Sequence, residues 1–286
     1  MDLNSWQNGG HYFESDSGLI YYREYHPKKE KTLVFLHGYP TSCLDYKACI
    51  KYFTNYRIIV HDHLGFGLSD KPEGAQYLLT EQADVAVALW QYLKVDHCTV
   101  VAHDYGTSVA TELLARHNAG LLSINIESLV LCNGSMLIEM SQLRPIQRML
   151  KHRWLGPLVA RLASFNTFKR NMNRIAAAGF THDNDSLNLH WTLLTIKGGR
   201  KVLSKITGYI DQRYEHYDRW IGALSEFTKP TLILWGAQDP VAVIAMSDKL
   251  STIIPNNKVK ILEHCGHYPM LEDAQSWSKA IIEFLN

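Results

Sequence analysis

Six short apolar runs recur along the chain, and valine, isoleucine and leucine dominate most of them. Runs of this length that stay apolar on both faces are typical of parallel strands buried within a sheet. They lie at 32–37, 56–62, 98–103, 126–133, 230–236 and 258–264. Amphipathic helical patterns separate several of them, for example "TEQADVAVALWQYLK" at 80–94, for which Thr80 is the expected N-cap. The alternation predicts an α/β fold with a mostly parallel sheet and right-handed crossovers.

Two segments depart from this alternation. The segment 11–27, "HYFESDSGLIYYREYHP", predicts a β-hairpin around Ser17 and Gly18, which adds antiparallel strands at one edge and brings the sheet to about eight strands. Residues 135–227 contain no further strand run and are rich in Arg, Asn, Met and aromatic residues. We therefore predict a core domain in two parts, 1–134 and 228–286, with a helical cap at 135–227 inserted before the late core strands.

Composition narrows the class of partner. The chain has 286 residues, of which 46% are hydrophobic and 20% charged, as in an ordinary globular protein. With 29 basic and 28 acidic residues the net charge is +1, which gives no long-range field for nucleic acid or an anionic membrane. A small, apolar and roughly neutral substrate suits this charge balance better. The oligomeric state stays open.

Compartment and redox chemistry follow from the N-terminus and the cysteines. "MDLNSWQNGG" lacks the pattern of a signal peptide, and about 18 consecutive apolar residues occur nowhere, so we expect a cytoplasmic protein without a transmembrane segment. Five cysteines, an odd number without CxxC spacing, are expected to be buried thiols rather than disulfides or metal ligands. They are Cys43, Cys49, Cys98, Cys132 and Cys265.

The motif "AHDYG" carries the first candidate for chemistry, Asp104. It lies directly after a predicted strand and directly before a predicted helix, with the small residues Ala102 and Gly106 on either side. A nucleophile elbow needs this arrangement, because strand and helix must approach closely while the central side chain projects from a strained turn. An Asp in this place also serves commonly as a helix N-cap, so the motif alone leaves both interpretations open.

Three further motifs place polar groups at strand ends. "LHGYPTS" follows the first core strand and suggests an oxyanion hole formed by the backbone N–H groups of Tyr39 and Tyr105. "WGAQDPV" places Asp239 after a later strand, and "EHCGHYPMLED" places His267 after the last one. The order of nucleophile, acid and histidine is that of elbow-type hydrolases, and parallel strands bring their carboxyl ends to one edge.

Together these motifs resemble the α/β-hydrolase superfamily over essentially the whole chain. The similarity rests on "LHGYPTS", "HDHLGFGLSDKP", "AHDYG", "WGAQDPV" and "GHYPMLED". With Asp at the elbow, the chain is similar to the epoxide hydrolase and haloalkane dehalogenase branch. "AHDYG", "YIDQRYEHYDRWIGAL" and "HYPMLED" are further similar to the mesoderm-specific transcript subgroup. The expected fold is therefore the α/β-hydrolase fold with a helical cap.

An Asp nucleophile implies a two-step hydrolysis. A carboxylate can displace a leaving group at an sp³ carbon and form an ester on the enzyme. His267, oriented by Asp239, then activates a water molecule that hydrolyses the ester at the carbonyl carbon of Asp104, while the oxyanion hole stabilises the tetrahedral intermediate. This chemistry requires neither a metal nor an organic cofactor.

The leaving group separates the candidate functions. Dehalogenases hold a halide with a Trp directly after the nucleophile, where this chain has Tyr105. Epoxide hydrolases donate a proton from cap tyrosines, one of them about 30 residues before the acid, and Tyr209 lies 30 residues before Asp239. His152 is the candidate for the second donor, with a plain surface histidine as the alternative. Epoxide hydrolysis is the first choice, haloalkane dehalogenation the second, and a hydrolase-fold receptor or signalling protein with little turnover the third.

Other residues near these motifs have structural interpretations. We expect His37 and His103 to bond the backbone around the turns. Glu272 and Asp273 indicate the start of a helix. Six aromatic residues of the cap are expected either to line an apolar pocket or to form the core of the cap itself. They are Trp154, Phe165, Phe168, Phe180, Trp191 and Trp220.

Overall fold

The computed structural model describes residues 2–286, and a sheet of eight strands forms its centre. The strands are β1 (His11–Ser15), β2 (Gly18–Tyr25), β3 (Thr32–Leu36), β4 (Arg57–His61), β5 (His97–His103), β6 (Asn125–Cys132), β7 (Thr231–Gly236) and β8 (Asn257–Leu262). Their order across the sheet is β1-β2-β4-β3-β5-β6-β7-β8. The hairpin strands β1 and β2 run antiparallel at one edge, and β3 to β8 are parallel to one another. The predicted fold class is confirmed.

Burial explains why the strand runs are continuously apolar. Every residue of β3 and β7 is buried, because helices cover both faces of the sheet at its centre. The edge strand β1 has no buried residue and carries polar side chains. One hydrophobic cluster lies on each face, and each includes residues from the central strands.

Helices fill both layers and the long connection between β6 and β7. They are α1 (Leu3–Asn8), α2 (Leu79–Tyr92), α3 (Tyr105–Asn118), α4 (Pro145–Lys151), α5 (Leu155–Leu162), α6 (Phe165–Ile175), α7 (Asn184–Thr195), α8 (Gly199–Ile206), α9 (Tyr209–Glu215), α10 (Tyr217–Glu226), α11 (Ala245–Ile253), α12 (Pro269–Glu272) and α13 (Ala274–Leu285). The predicted cap of α2 was wrong: Leu78 holds the N-cap position, its N–H donates to the Glu81 carboxylate, and Thr80 lies inside the helix.

The segment between β6 and β7 holds α4 to α10, and we call residues 135–227 the helical insertion. Its last helix differs from the others in its packing. In α10, the Trp220 indole N–H and the Arg219 guanidinium both donate to Glu112 on α3. By its contacts α10 therefore belongs to the helical layer that covers the sheet, although it lies within the predicted insertion.

Two further features bear on the sequence expectations. All five cysteines are buried and free of disulfides. Within residues 2–286, no helix combines the length and the apolar character that a bilayer crossing requires.

Candidate active site

Asp104 occupies a sharp turn between β5 and α3. Its backbone has φ 43° and ψ −107°, a conformation that L-residues rarely adopt and that stores strain. A Cβ on Gly106 would lie 2.3 Å from the Leu36 carbonyl oxygen, so only glycine allows α3 to approach β3 this closely. Asp104 holds the N-cap position of α3, yet its side chain accepts no hydrogen bond from the helix. The geometry therefore fits the elbow and not the capping interpretation.

The Asp104 carboxylate is held by the loop that follows β3. The backbone N–H of Tyr39 donates to Oδ2 of Asp104 over 2.9 Å. Tyr105 is the first residue of α3, so the helix offers its N–H no carbonyl partner, and the helix dipole is positive here. A Cβ on Gly38 would lie 2.6 Å from His103 Nδ1, which explains the glycine before Tyr39. Both predicted oxyanion residues thus lie beside one carboxylate.

His267 and Asp239 form a hydrogen-bonded pair. Nδ1 of His267 lies 2.7 Å from Oδ2 of Asp239. The other oxygen, Oδ1, accepts from the backbone N–H groups of Val241 at 2.7 Å and Ala242 at 3.1 Å. Asn133 adds an Nδ2–H donor to Oδ2 at 2.8 Å. Since all four of these groups donate, the carboxylate orients the imidazole so that Nδ1 carries a proton and Nε2 is the available base.

The electrostatic environment of His267 favours its charged form. Burial lowers its pKa, but the negative charge of Asp239 and the hydrogen bond to it outweigh burial, and the negative charge of Asp104 adds to them. Together they raise the pKa of His267 to about 9.

Asp104 and His267 face one cavity beneath the helical insertion. The cavity has a volume of about 820 Å³ including its open mouth, and Tyr39 also contributes to its wall. Most of the remaining wall is apolar and comes from the insertion, including Leu150, Val159, Phe168, Met172, Leu194 and Leu203. A mostly apolar wall with a few polar groups is typical of small-molecule pockets.

Tyr209 is buried behind the cavity wall. Its ring packs against Tyr39 and Tyr105, with ring centroids 5.5 and 5.2 Å away. Its hydroxyl accepts a hydrogen bond from Nε2 of Gln147 at 3.1 Å, and Gln147 lines the cavity. Burial, with a contribution from the charge of Asp104, raises the pKa of Tyr209 above the ordinary tyrosine value. Tyr209 therefore lies near Asp104, one side chain removed from the cavity.

His152 does not reach the cavity. It is exposed at the C-terminal end of α4, where its Nδ1 accepts from the backbone N–H groups of Trp154 and Leu155. The imidazole caps the start of α5 and does not line the wall. Its position contradicts the interpretation as a second proton donor and agrees with that of a surface histidine.

Some of the six aromatic residues of the insertion line the cavity, and the others do not. Phe168 and Trp191 line the cavity. Trp154 is 76% exposed, and Trp220 packs on α3. Phe165 and Phe180 are partly buried and are not part of the cavity wall. The interpretation as a pocket lining therefore applies to two of the six.

His37 and His103 bond to the backbone, as expected. Nδ1 of His37 lies 2.8 Å from the Gly38 carbonyl, and its Nε2 accepts from the N–H of His63. Nε2 of His103 lies 2.7 Å from the carbonyl of His267. Burial lowers the pKa of His37 to about 3 and that of His103 to about 4, so both stay neutral at physiological pH.

A buried cation that the motifs did not indicate, Arg213, lies beside Asp104. Its Nη2 donates to the Asp104 carbonyl at 3.2 Å and lies 3.8 Å from Oδ1 of the same residue. Its Nε donates to Ser108, and the guanidinium lies 4.6 Å from the ring centre of Tyr209. Arg213 thus offsets the negative charge that Asp104 brings into an apolar site. A signal was present, because Arg213 follows Tyr209 by one helical turn.

The roles of Asn133 and Glu272 at the site were not predicted either, since the sequence indicated Glu272 only as part of a helix start. Asn133 follows β6 directly, and polar residues at strand ends had already identified Asp104, so the same signal applied. Glu272 ends α12, and its carboxylate accepts from the N–H groups of Gly266, Tyr268 and Ala177. It ties the loop that carries His267 to the insertion. Only Asp273 caps the helix predicted here, through the Ser276 N–H.

Comparison with known proteins assigns the chain to a family. A model of the α/β hydrolase fold family matches residues 31–274, so the chain belongs to that family. It is 36% identical over 283 residues to the putative hydrolase LipZ of Mycobacterium tuberculosis, covering 99% of this chain and 98% of LipZ. The human mesoderm-specific transcript homolog protein is 32% identical over 294 residues, covering 99% and 88% respectively, which confirms the similarity seen in the motifs.

Solved structures agree on the fold. A haloalkane dehalogenase loop variant from Bradyrhizobium elkanii superposes with a TM-score of 0.80 at 19% identity, covering 96% of this chain and 95% of that one. The epoxide hydrolase CorEH superposes with a TM-score of 0.79 at 18% identity, covering 96% and 98%. At these identities the likeness concerns the fold alone.

Proposed function

We propose that this α/β-fold hydrolase opens small apolar epoxides to diols through an ester on Asp104. The observation that carries the proposal is the hydrogen bond from the Tyr39 N–H to Oδ2 of Asp104. It engages one carboxylate oxygen at the oxyanion site and leaves Oδ1 for attack on carbon. A serine at the elbow would have no second oxygen to engage in this way.

In the first step, Oδ1 of Asp104 attacks an epoxide carbon and the C–O bond of the ring breaks. The electron pair of that bond goes to the departing oxygen, which takes a proton from the Tyr209 hydroxyl once the Gln147 side chain, which lies between that hydroxyl and the cavity, has moved aside. Because Gln147 donates to that hydroxyl, the proton of Tyr209 is not engaged with Gln147 and can be donated. The product of this step is a hydroxyalkyl ester of Asp104.

In the second step, Nε2 of His267 takes a proton from water, and the resulting hydroxide attacks Cγ of Asp104. Negative charge develops on Oδ2, where the Tyr39 N–H already donates. Collapse of the tetrahedral intermediate breaks the Cγ–Oδ1 bond, and the leaving oxygen takes the proton of the hydroxyl group that was added to Cγ, which releases the diol and restores the carboxylate. The proton that His267 took from water then returns to the Tyr209 phenolate, so both groups regain their starting forms. The oxygen that the first diol molecule gains is the former Oδ1, not an oxygen from solvent.

A haloalkane is the second candidate substrate, because Trp191 brings an indole to the cavity wall. The residue after the nucleophile weighs against it. Tyr105 is buried, and its side chain is not part of the wall. A halide would therefore lack a donor next to Asp104 of the kind that dehalogenases provide.

The choice between epoxide and halide is tested by Tyr209→Phe. An alkoxide is far more basic than a halide, so it gains more from a proton donor, and general acid catalysis is worth about 10²- to 10⁴-fold. We expect the variant to alkylate with an epoxide at least about tenfold more slowly in single-turnover kinetics. Alkylation by a haloalkane of similar size should change little.

Tyr77→Phe is the matched control, because Tyr77 is also a buried tyrosine, but its hydroxyl donates to the Pro72 carbonyl. It should alkylate at the wild-type rate. If Tyr209→Phe opens epoxides as fast as this control, Tyr209 is not the acid. If the wild type reacts with haloalkanes but not with epoxides, the second candidate replaces the first.

The pH dependence should differ between the resting enzyme and the ester intermediate. In the resting enzyme, the charge of Asp104 contributes to the pKa of about 9 for His267. Alkylation turns that carboxylate into a neutral ester, so the pKa of His267 falls in the intermediate. The base must be neutral, and hydrolysis should therefore gain speed with rising pH through an apparent pKa below 9.

Stopped-flow measurement of ester hydrolysis against pH gives the pKa of His267 in the intermediate. An NMR titration gives the pKa of His267 in the resting enzyme. If the pKa of His267 in the resting enzyme is no higher than in the intermediate, the negative charge of Asp104 does not raise it, which contradicts the prediction.

A further inference from the structure

Charge is distributed very unevenly along this nearly neutral chain. Residues 140–182 hold eight of the 29 basic residues and none of the 28 acidic ones. The rest of the chain therefore carries a net negative charge. The net charge of +1 conceals this asymmetry, and with it a surface that attracts anions over a distance of about a Debye length.

The same segment exposes large apolar side chains. Helix α5 places Leu155, Leu158 and Leu162 at solvent, at i, i+3 and i+7 on one face, and Leu162 is 73% exposed. Met149 on α4 and Trp154 directly before α5 are also exposed, and α4 packs against α5. We call these five residues the α4–α5 face. Contiguous apolar surface of this kind on a globular protein indicates a binding surface.

Helix α5 is apolar on its inner side as well. Its residues Gly156 and Ala160 are buried, and Val159 lines the cavity together with Ala163 at the end of the helix. A helix that is apolar on both sides is expected to be covered on both sides. The insertion and the cavity account for the inner side only.

Basic side chains border the α4–α5 face. Arg148, Arg153 and Arg161 are exposed, and within residues 2–286 none of the three pairs with a carboxylate. Exposed leucines and a tryptophan bordered by free arginines are the chemistry of helices that lie in a lipid interface. Tryptophan in particular prefers the depth of the lipid headgroups.

We propose that the α4–α5 face binds the surface of an anionic lipid membrane. Its arginines contact the headgroups, and its apolar side chains enter the boundary of the acyl chains. A second copy of this chain fits the face less well, since two such segments would bring eight positive charges against eight. An acidic protein is the remaining occupant that the test must distinguish.

The cavity mouth opens next to this face. Ser164, the N-cap of α6, and Thr167 in the first turn of that helix line the cavity and are exposed. A docked molecule would therefore take an apolar substrate from the lipid phase, an extension that rests on the proposed function. Membrane binding does not depend on the reaction. The vesicle test can therefore fail while the proposed hydrolysis is confirmed, and the hydrolysis can fail while the vesicle test succeeds.

The test measures sedimentation of the full chain with phosphatidylcholine vesicles, with and without about one third phosphatidylserine. We expect binding to the anionic vesicles that weakens as salt rises, together with a blue shift of Trp154 emission that Trp154→Phe removes. Leu162→Gln should weaken binding roughly tenfold, since a leucine no longer enters the interface. Leu121→Gln is the matched control, because Leu121 is also 73% exposed but lies outside the segment.

A second pair of variants tests how much the charges of the arginines contribute to vesicle binding. Replacing Arg148, Arg153 and Arg161 together by Gln should weaken binding at least tenfold and reduce its salt dependence. The control replaces three exposed lysines elsewhere, Lys249, Lys258 and Lys260, and should bind like the wild type. An unchanged thermal unfolding midpoint in all variants checks that each one is folded.

Four results would overturn the proposal. The first is no binding to anionic vesicles, and the second is a Leu162→Gln or triple-arginine variant that binds as its control does. The third is a dimer in gel filtration that Leu162→Gln dissociates, since a second copy would then cover the face. An acidic protein that competes with the vesicles for the face at far lower concentration would likewise replace lipid as its occupant.

Discussion

Replacing His267 with glutamine is expected to give an enzyme that alkylates itself once and then stops. Attack by Oδ1 of Asp104 on carbon requires no base, whereas hydrolysis of the ester requires Nε2 of His267 to take a proton from water. We expect steady-state turnover to fall by at least about 10³-fold, as for other members of catalytic triads. Intact-protein mass should rise by one equivalent of epoxide, and peptide mapping should place the adduct on Asp104.

His264→Gln is the matched control for this experiment. His264 lies three residues earlier on the same loop, is exposed, and bonds to Asp273 instead of the Asp239 carboxylate. It should turn over normally and accumulate no adduct. An unmodified mass for His267→Gln, with a substrate that the wild type consumes, would exclude Asp104 as the nucleophile.

Oxygen labelling tests for the ester on Asp104 in the wild-type enzyme. In a single turnover in ¹⁸O-water, the first diol should carry no label from solvent, and the label should appear in Asp104. Direct attack of water on the epoxide would place the label in the diol instead.

Asp239→Asn is expected to slow ester hydrolysis by about 10⁴-fold while alkylation continues. Four donors surround the carboxylate: the N–H groups of Val241 and Ala242, the Asn133 amide and Nδ1–H of His267. An asparagine brings an NH₂ group that must face two of these donors. If it faces His267, the imidazole proton moves to Nε2, the atom that has to accept a proton.

The other orientation of the new amide is also unfavourable. The NH₂ group would then face the backbone N–H groups of Val241 and Ala242, which lose their acceptor in a buried site. Asp273→Asn is the control, because Asn caps a helix about as well as Asp, and α13 should keep its cap. Hydrolysis by Asp239→Asn at the rate of this control would mean that another acid orients His267.

The strand pattern predicted most of the core and three candidate site residues. Continuous apolar runs identified β3 to β8, and Asp104, Asp239 and His267 each follow a strand of a parallel sheet. Because parallel strands end at one edge, local sequence was sufficient to bring these three residues together. Asn133 meets the same criterion at the end of β6 and could have been predicted with them.

The helical insertion could not be assembled in this way. Its helices have no repeating relation to the sheet, and their contacts join residues far apart in the chain. The Tyr209 hydroxyl meets Gln147, the N–H of His267 donates to the carbonyl of Ile175, and Arg213 reaches Asp104. Such contacts depend on how side chains pack, so helical periodicity predicted the helices but not what each one touches. For this reason His152 was predicted as a candidate second proton donor, whereas its side chain lies at the surface.

By itself, the sequence determined the α/β architecture, the position of the hairpin and the strand ends that carry Asp104, Asp239 and His267. These follow from local patterns of apolar residues, because a parallel sheet allows few arrangements for them. Tertiary structure alone decided that Oδ2 of Asp104 accepts from Tyr39, that Arg213 lies near Oδ1, and that the leucines of α5 face solvent. A helix that is apolar on two sides has no preferred inner face, and packing against the cavity decides which side stays exposed.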